Sequence, residues 1–128
     1  MRDETKTWLK YANENFQSAK VLLDSSLFNP CLQNIQQFIE KLLKALLIEF
    51  SMKFERTHSI NELKNSLAAG GINIDMSKEE SDLLDSIYLP SKYPLGSVLP
   101  DFEPDMEICI KCMSIAERTK VSIEKYFS

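Results

Sequence analysis

The sequence of 128 residues contains few glycines and few residues that could bind a metal ion. Three glycines are too few for a chain built on tight β-turns, which disfavours an all-β fold. Cys109 and Cys112 have CxxC spacing, but His58 is the only histidine and no second cysteine pair is present, so a zinc site cannot be completed. We therefore predict no metal, no cofactor and core positions for both cysteines.

The sequence also lacks long apolar runs, an excess of positive charge and an even number of cysteines. No stretch approaches the roughly 18 apolar residues that a membrane span needs, and the charged first ten residues do not resemble a signal peptide. A net charge of −4 disfavours a broad surface for duplex DNA. Three cysteines suit reduced thiols rather than a disulfide framework. These features predict a cytoplasmic protein that binds neither membranes nor duplex DNA.

Apolar residues recur at helical spacing along most of the chain. Two capping boxes, which begin at Ser59 and Ser77, mark the starts of two shorter helices. We predict helices with approximate bounds 3–25, 30–54, 59–69, 77–88 and 104–126. The segment 89–104 contains four prolines and is predicted to be an irregular but packed loop. The pattern indicates one domain, 1–128, with an all-α fold: an up-and-down antiparallel bundle of four to five helices.

The second predicted helix carries apolar residues over more than half of its circumference, which indicates a central position in the bundle. Its remaining face is a narrow polar stripe that consists of Gln33, Gln37, Glu40, Lys41 and Lys44. One interpretation is a solvated helix face, on which Glu40 and Lys44 form an i,i+4 pair. The other is a cleft or dimer seam, where Lys41 and Lys44 meet phosphate and Gln37 both donates and accepts hydrogen bonds.

The predicted start of the third helix is a second candidate site. Free N–H groups and the helix dipole at Ser59 would attract an anion, and Arg56, Thr57 and His58 would add side-chain donors. The alternative is that the His58 ring only covers the helix entry and forms local hydrogen bonds.

Lys92 and Tyr93, in the proline-rich segment, are open to two interpretations as well. Tyr93 could simply pack on the bundle and anchor the loop. Alternatively, it could stack on a base while Lys92 contacts a phosphate.

Four features follow one another in a distinctive order. An N-terminal amphipathic helix with Trp8 is followed by QQFIEKLLKALL at residues 36–47, then THSI at 57–60 and KYP at 92–94. This order resembles the HEPN domain family, named for higher-eukaryote and prokaryote nucleotide binding, and the resemblance covers nearly the whole chain.

The resemblance implies an α-helical bundle that is frequently a homodimer. Family members are often encoded beside a small nucleotidyltransferase-like protein and bind it, in prokaryotic toxin–antitoxin pairs. Some members bind nucleotides. Others are metal-independent ribonucleases with an R-x4-6-H motif, in which the arginine and the histidine meet across the dimer.

The chain departs from the ribonuclease motif. His58 could supply its histidine, but the arginine position falls on Ser51, Met52 or Lys53. Lys53 lacks the planar guanidinium with which arginine donates two parallel hydrogen bonds to a phosphate. Arg56 is only two residues from His58, which is too close for the motif. We therefore predict a binding and interaction module rather than an enzyme. The alternatives are a ribonuclease toxin with a degenerate site, His58 with Lys53 or Arg56, and a scaffold without a ligand.

Overall fold

The computed structural model describes residues 1–54, 56–92 and 103–127, with only the backbone described for 89–92. The helices are α1 (Asp3–Asp24), α2 (Phe28–Glu49), α3 (Ile60–Ala69), α4 (Lys78–Lys92) and α5 (Met106–Ile123), and a 3₁₀ turn follows at Glu124–Phe127. The described parts contain no β-strand, so the all-α prediction is confirmed. Within these parts, no helix is both long enough and apolar enough to cross a membrane.

α1 and α2 form an antiparallel hairpin. At one end of the hairpin, the backbone N–H of Arg2 donates to the Glu49 carboxylate at 3.1 Å. Further along, the Phe16 ring stacks on Phe38 with ring centres 4.6 Å apart. Ala12 and Ala19 lie on the same buried face of α1 as Phe16, where small side chains allow the two helices to approach closely.

α2 occupies the centre of the bundle, as its wide apolar arc predicts. It packs against α1, α3, α4 and α5, and 14 of its 22 residues are buried. α5 runs in the same direction as α2. The Cys109 thiol lies 3.5 Å from the Phe28 carbonyl oxygen near the start of both helices, and the rings of Phe50 and Tyr126 meet at the other end. Each leucine or isoleucine that α2 buries contributes about 1.5–3 kcal/mol.

Two helices begin two residues away from their predicted starts, whereas the others begin within one residue. α2 begins at Phe28, two residues before Pro30. A proline is tolerated throughout the first turn, because the N–H groups there have no partner within the helix. α5 begins at Met106 rather than at Pro104, since the Asp105 carboxylate caps it by accepting a first-turn N–H at 2.9 Å.

α2 also ends earlier than predicted, at Glu49 instead of Phe54. Ser51 adopts a left-handed backbone conformation, with φ of 53°, and the Met52 N–H donates to the Leu47 carbonyl at 2.8 Å. These are the features of a Schellman motif, which terminates a helix. The chain therefore leaves the helix axis early and returns beside α2, which positions the site described below.

α4 extends beyond its predicted end at Tyr88 and reaches Lys92. The prediction that 89–104 contains no regular helix was therefore wrong for the first four residues. Pro90 removes only the N–H that would bond the Ser86 carbonyl, and the helix ends two residues later, so the loss is confined to its last turn. Residues 93–102 of the predicted loop lie outside the described residues, and 103–104 are not helical.

The three cysteines are core residues. Cys31, Cys109 and Cys112 are free thiols and are buried. Burial raises the pKa of Cys109 and of Cys112 to about 12. In the described ranges, no three histidine, cysteine or acidic side chains are grouped as a metal site would require. Cys109 and Cys112 both belong to the hydrophobic core, as predicted.

Candidate functional site

Three polar side chains of α2 are buried one turn apart. Gln36, Glu40 and Lys44 are 1%, 3% and 6% exposed, respectively, although the surrounding helix is apolar. Their spacing of four residues places them in one row along the helix. Glu40 and Lys44 belong to the predicted polar stripe, whereas Gln36 was not predicted as a site residue. The row lies against the segment that returns from the end of α2.

Glu40 is the centre of this polar cluster. Its Oε2 accepts a hydrogen bond from Lys44 Nζ at 3.0 Å. Its Oε1 contacts His58 Nδ1 at 3.0 Å and accepts from Gln36 Nε2 at 3.3 Å. A buried carboxylate is stable only when it is paired and hydrogen-bonded, and these contacts satisfy both conditions.

His58 is held by contacts on three sides. Its Nδ1 contacts Glu40, its ring stacks on the Tyr88 ring at 4.9 Å between centres, and its backbone carbonyl accepts from Gln36 Nε2 at 3.1 Å. Since an ionised Glu40 can only accept, Nδ1 must carry the hydrogen. The side chain is nevertheless 55% exposed. The second ring nitrogen, Nε2, is therefore the one that a ligand could reach.

Lys44 contacts the Glu40 carboxylate and lies near two aromatic rings. Its ammonium group lies 5.9 Å from the centre of the Trp8 ring system and 5.7 Å from that of Phe54. The two aromatic rings also contact each other, with centres 5.6 Å apart. Lys44 is thus enclosed by Glu40 and two aromatic faces, an environment that favours a cation but does not present it to a ligand.

The predicted polar stripe of α2 divides into separate parts. Lys41 turns toward α1, where its Nζ donates to Asn15 Oδ1 at 2.6 Å. Burial lowers the pKa of Lys41. Gln37 instead donates to Gln36 Oε1 at 2.8 Å and so joins the edge of the Glu40 cluster. The structure therefore does not bring Lys41 and Lys44 together around one phosphate.

The N-terminus of α3 is not open to an anion. The carboxylate of Asp85, on α4, accepts the backbone N–H of Ile60 at 2.6 Å and that of Asn61 at 3.2 Å. Asp85 also accepts the hydroxyl of Ser59, whose own oxygen caps the Glu62 N–H. The prediction of free N–H groups at this helix start was wrong, because a carboxylate of the same chain already occupies the position.

The other predicted residues differ in what the structure shows. Thr57 is half-buried, and its hydroxyl oxygen accepts the N–H of the α3 N-cap serine at 3.0 Å. The side chains of Lys53 and Arg56, on the same returning segment as His58, are exposed. The Lys92 side chain and Tyr93 lie outside the described residues.

Comparison with known proteins identifies the family. The HEPN domain profile matches residues 5–121. The chain belongs to the HEPN domain family. The HEPN chain is similar to TT1696 from Thermus thermophilus, at 22% identity over 97% of this chain and 98% of the other, with a TM-score of 0.77. It is also similar to ST0689, an archaeal HEPN homologue, at 21% identity over 100% of both chains, with a TM-score of 0.73. No curated protein sequence matches it.

Proposed function

We propose that the HEPN chain is a binding and interaction module that holds the phosphate of a nucleotide at the exposed edge of His58. The observation that carries this proposal is the 3.0 Å contact between His58 Nδ1 and the buried Glu40 carboxylate. This contact fixes the orientation of the His58 imidazole and leaves its Nε2 available to a ligand. A protonated imidazole beside a carboxylate would donate Nε2–H to a phosphate oxygen in a charge-assisted hydrogen bond.

The returning segment supplies further positive charge next to His58. Arg56 is exposed and carries a planar guanidinium that suits bidentate phosphate binding, and exposed Lys53 adds a point charge. The cations of α2 have a supporting role, since Lys44 is paired with Glu40. In this proposal Lys92 and Tyr93 contact the rest of the nucleotide, with the tyrosine stacked on its base.

Family membership supports a second part of the proposal, an assembly in the cytoplasm with a nucleotidyltransferase-like protein in a toxin–antitoxin-type pair. A homodimer of the HEPN chain would be the binding unit. Exposed apolar side chains favour such contacts: Met106, Ile110 and Val121 of α5 are 44%, 53% and 67% exposed. Their spacing places them on one face of the helix, and exposed apolar surface of this kind is typical of interaction sites.

Calorimetric titration of ATP and GTP tests the phosphate site. Binding should weaken about tenfold or more in His58→Ala and in Arg56→Ala, because each change removes a charge-assisted hydrogen bond. Lys10→Ala is the matched control, since this exposed lysine lies on the face of α1 away from Trp8. Failure of both nucleotides to bind, or equal binding by His58→Ala, would refute the site.

Co-purification with the product of the adjacent gene tests the proposed partner. Failure to co-purify would refute the partner and leave the phosphate site untouched.

The same contact favours a second candidate function, a metal-independent ribonuclease with a degenerate motif. A carboxylate that fixes one imidazole nitrogen prepares the other for proton transfer, and Lys53 or Arg56 would stabilise charge on the phosphate. Cleavage of single-stranded RNA in the presence of EDTA tests this function. The expected result is activity that His58→Ala abolishes. No cleavage, or cleavage that survives the substitution, would exclude this candidate and leave the binding proposal untouched.

A further inference from the structure

A mostly apolar cavity lies between α1 and α5, away from the His58 site. Its volume is about 320 Å³. Phe38 and Leu42 of α2 form its floor, Leu9 and Ile123 line its two sides, and Phe127 of the 3₁₀ turn lies at one end. None of the residues that line it belongs to the Glu40 cluster. The volume is at the lower end of the range for ligand pockets, which is about 300–1,000 Å³.

Two lysines from different helices approach one aromatic ring, Phe16, next to this cavity. Lys120 of α5 lines the cavity, and its Nζ lies 5.6 Å from the centre of the Phe16 ring. Lys20 of α1 places its Nζ 4.4 Å from the same ring centre. Phe16 in turn stacks on the floor residue Phe38. Both lysines are exposed, and neither has an acidic partner within 4.0 Å in the described part of the chain.

Two other polar side chains complete the rim. Asn13 of α1 offers an amide donor and acceptor, and Glu124 follows Lys120 by one helical turn. Since Glu124 forms no ion pair with Lys120, it leaves that ammonium group open to another anion. Among the lining residues Lys120 and Glu124 balance in charge, and Lys20 lies just outside the lining, on the same Phe16 ring as Lys120. Its additional ammonium group favours a ligand with negative charge.

We propose that this cavity binds a small amphipathic carboxylate. The hydrocarbon tail would lie on Phe38 and Leu42, where each buried methylene leaves water. The carboxylate would lie between Lys20 and Lys120, which can both donate charge-assisted hydrogen bonds. A neutral apolar ligand would use the floor but not the lysines, and a cationic one would be repelled by them.

Octanoate is the probe for this proposal, with binding measured by calorimetry and by backbone NMR shifts. Octanoate should shift the resonances of Leu9, Leu42 and Ile123 and bind at least about tenfold tighter than butanoate, because four further methylenes are buried. Octylamine has the same tail and the opposite charge, and should bind at least about tenfold more weakly than octanoate. No octanoate binding, or octylamine binding equal to it, would overturn the proposal.

Surface variants locate the ligand without disturbing the core. Asn13→Trp should fill the mouth and abolish octanoate binding, and Lys120→Ala should weaken it about tenfold. Lys111→Ala is the matched control, since this exposed lysine lies on the opposite face of α5 and should leave binding unchanged. An NMR spectrum with unchanged dispersion checks that each variant is folded. If sedimentation shows a dimer that Asn13→Trp dissociates and octanoate does not bind, the cavity is covered by a second copy and the proposal is wrong.

Discussion

Replacing Glu40 with glutamine removes one charge from an ion pair that is almost fully buried. The side chains of Lys44 and Glu40 are 7% and 4% exposed, and Lys44 Nζ lies 3.0 Å from Glu40 Oε2. Breaking such a pair from one side costs about 3–5 kcal/mol, because the remaining charge is left without compensation. The faces of Trp8 and Phe54 and the new amide oxygen still favour the ammonium group. We therefore expect Glu40→Gln to lower the free energy of unfolding by about 3 kcal/mol, near the lower bound of this range.

Two further variants separate the charge effect from packing. Lys44→Met breaks the same pair from the other side and leaves the Glu40 carboxylate buried. It should also lower the free energy of unfolding by about 3 kcal/mol, near the lower bound because Glu40 keeps its contacts with Gln36 and His58. The double variant, Glu40→Gln with Lys44→Met, leaves no buried charge at this position. It should be within about 1 kcal/mol of the wild type and more stable than Glu40→Gln alone. His58→Ala serves as a control, since the ring is more than half exposed and its removal should cost less than about 1 kcal/mol.

Urea unfolding followed by circular dichroism measures these free energies. A loss of about 3 kcal/mol should also lower the melting temperature by roughly 10 °C for a chain of this length. The reasoning fails if Glu40→Gln is within about 1 kcal/mol of the wild type. It fails equally if the double variant is as unstable as the single one, because the loss would then come from packing rather than from an unpaired charge.

Three other perturbations test separate parts of the fold. Thr119 has a buried hydroxyl without a hydrogen-bond partner in the described part of the chain. Thr119→Val should therefore raise the free energy of unfolding by about 1 kcal/mol. A free energy of unfolding below that of the wild type, measured in urea, would contradict this. Cys109 and Cys112, with pKa values raised to about 12, should react with a disulfide reagent at pH 8 only as fast as the protein opens; rapid labelling of the folded protein contradicts their burial. Hydrogen bonding to Arg118 holds the pKa of Glu80 below its ordinary value. The stabilisation from the ionised Glu80 carboxylate is therefore present at pH 7 and is lost as the pH falls through that lowered pKa. The wild type should therefore exceed Glu80→Gln by up to about 1 kcal/mol at pH 7 and by less below pH 4; a difference that does not change with pH contradicts this.

The sequence predicts the helices and the central position of α2 because these depend on local periodicity. Apolar side chains at helical spacing indicate buried faces regardless of what covers them. The capping boxes likewise act on neighbouring residues. The box of Ser77 and Glu80 is complete, whereas Ser59 caps the Glu62 N–H but donates its own N–H to Thr57. The family resemblance rests on motifs in the same local segments.

The details of the site depend on contacts between distant segments, which local patterns do not reveal. Asp85 fills the N-terminus of α3 from α4, 25 residues away along the chain from Ile60. The end of α2 at Glu49 requires a left-handed serine, Ser51, where glycine would have been the recognisable signal. Gln36 follows the four-residue spacing of Glu40 and Lys44, and this spacing was the one signal that could have identified it.

The orientation of His58 is the central claim, and the tautomer of its ring tests it most directly. His58 is the only histidine, so long-range ¹H–¹⁵N NMR of the imidazole is unambiguous. At a pH where the ring is neutral, the contact with the Glu40 carboxylate predicts hydrogen on Nδ1 and a free lone pair on Nε2. This preference should diminish in Glu40→Gln, since an amide can donate as well as accept. Hydrogen on Nε2 in the wild type, unchanged by the substitution, would contradict the account.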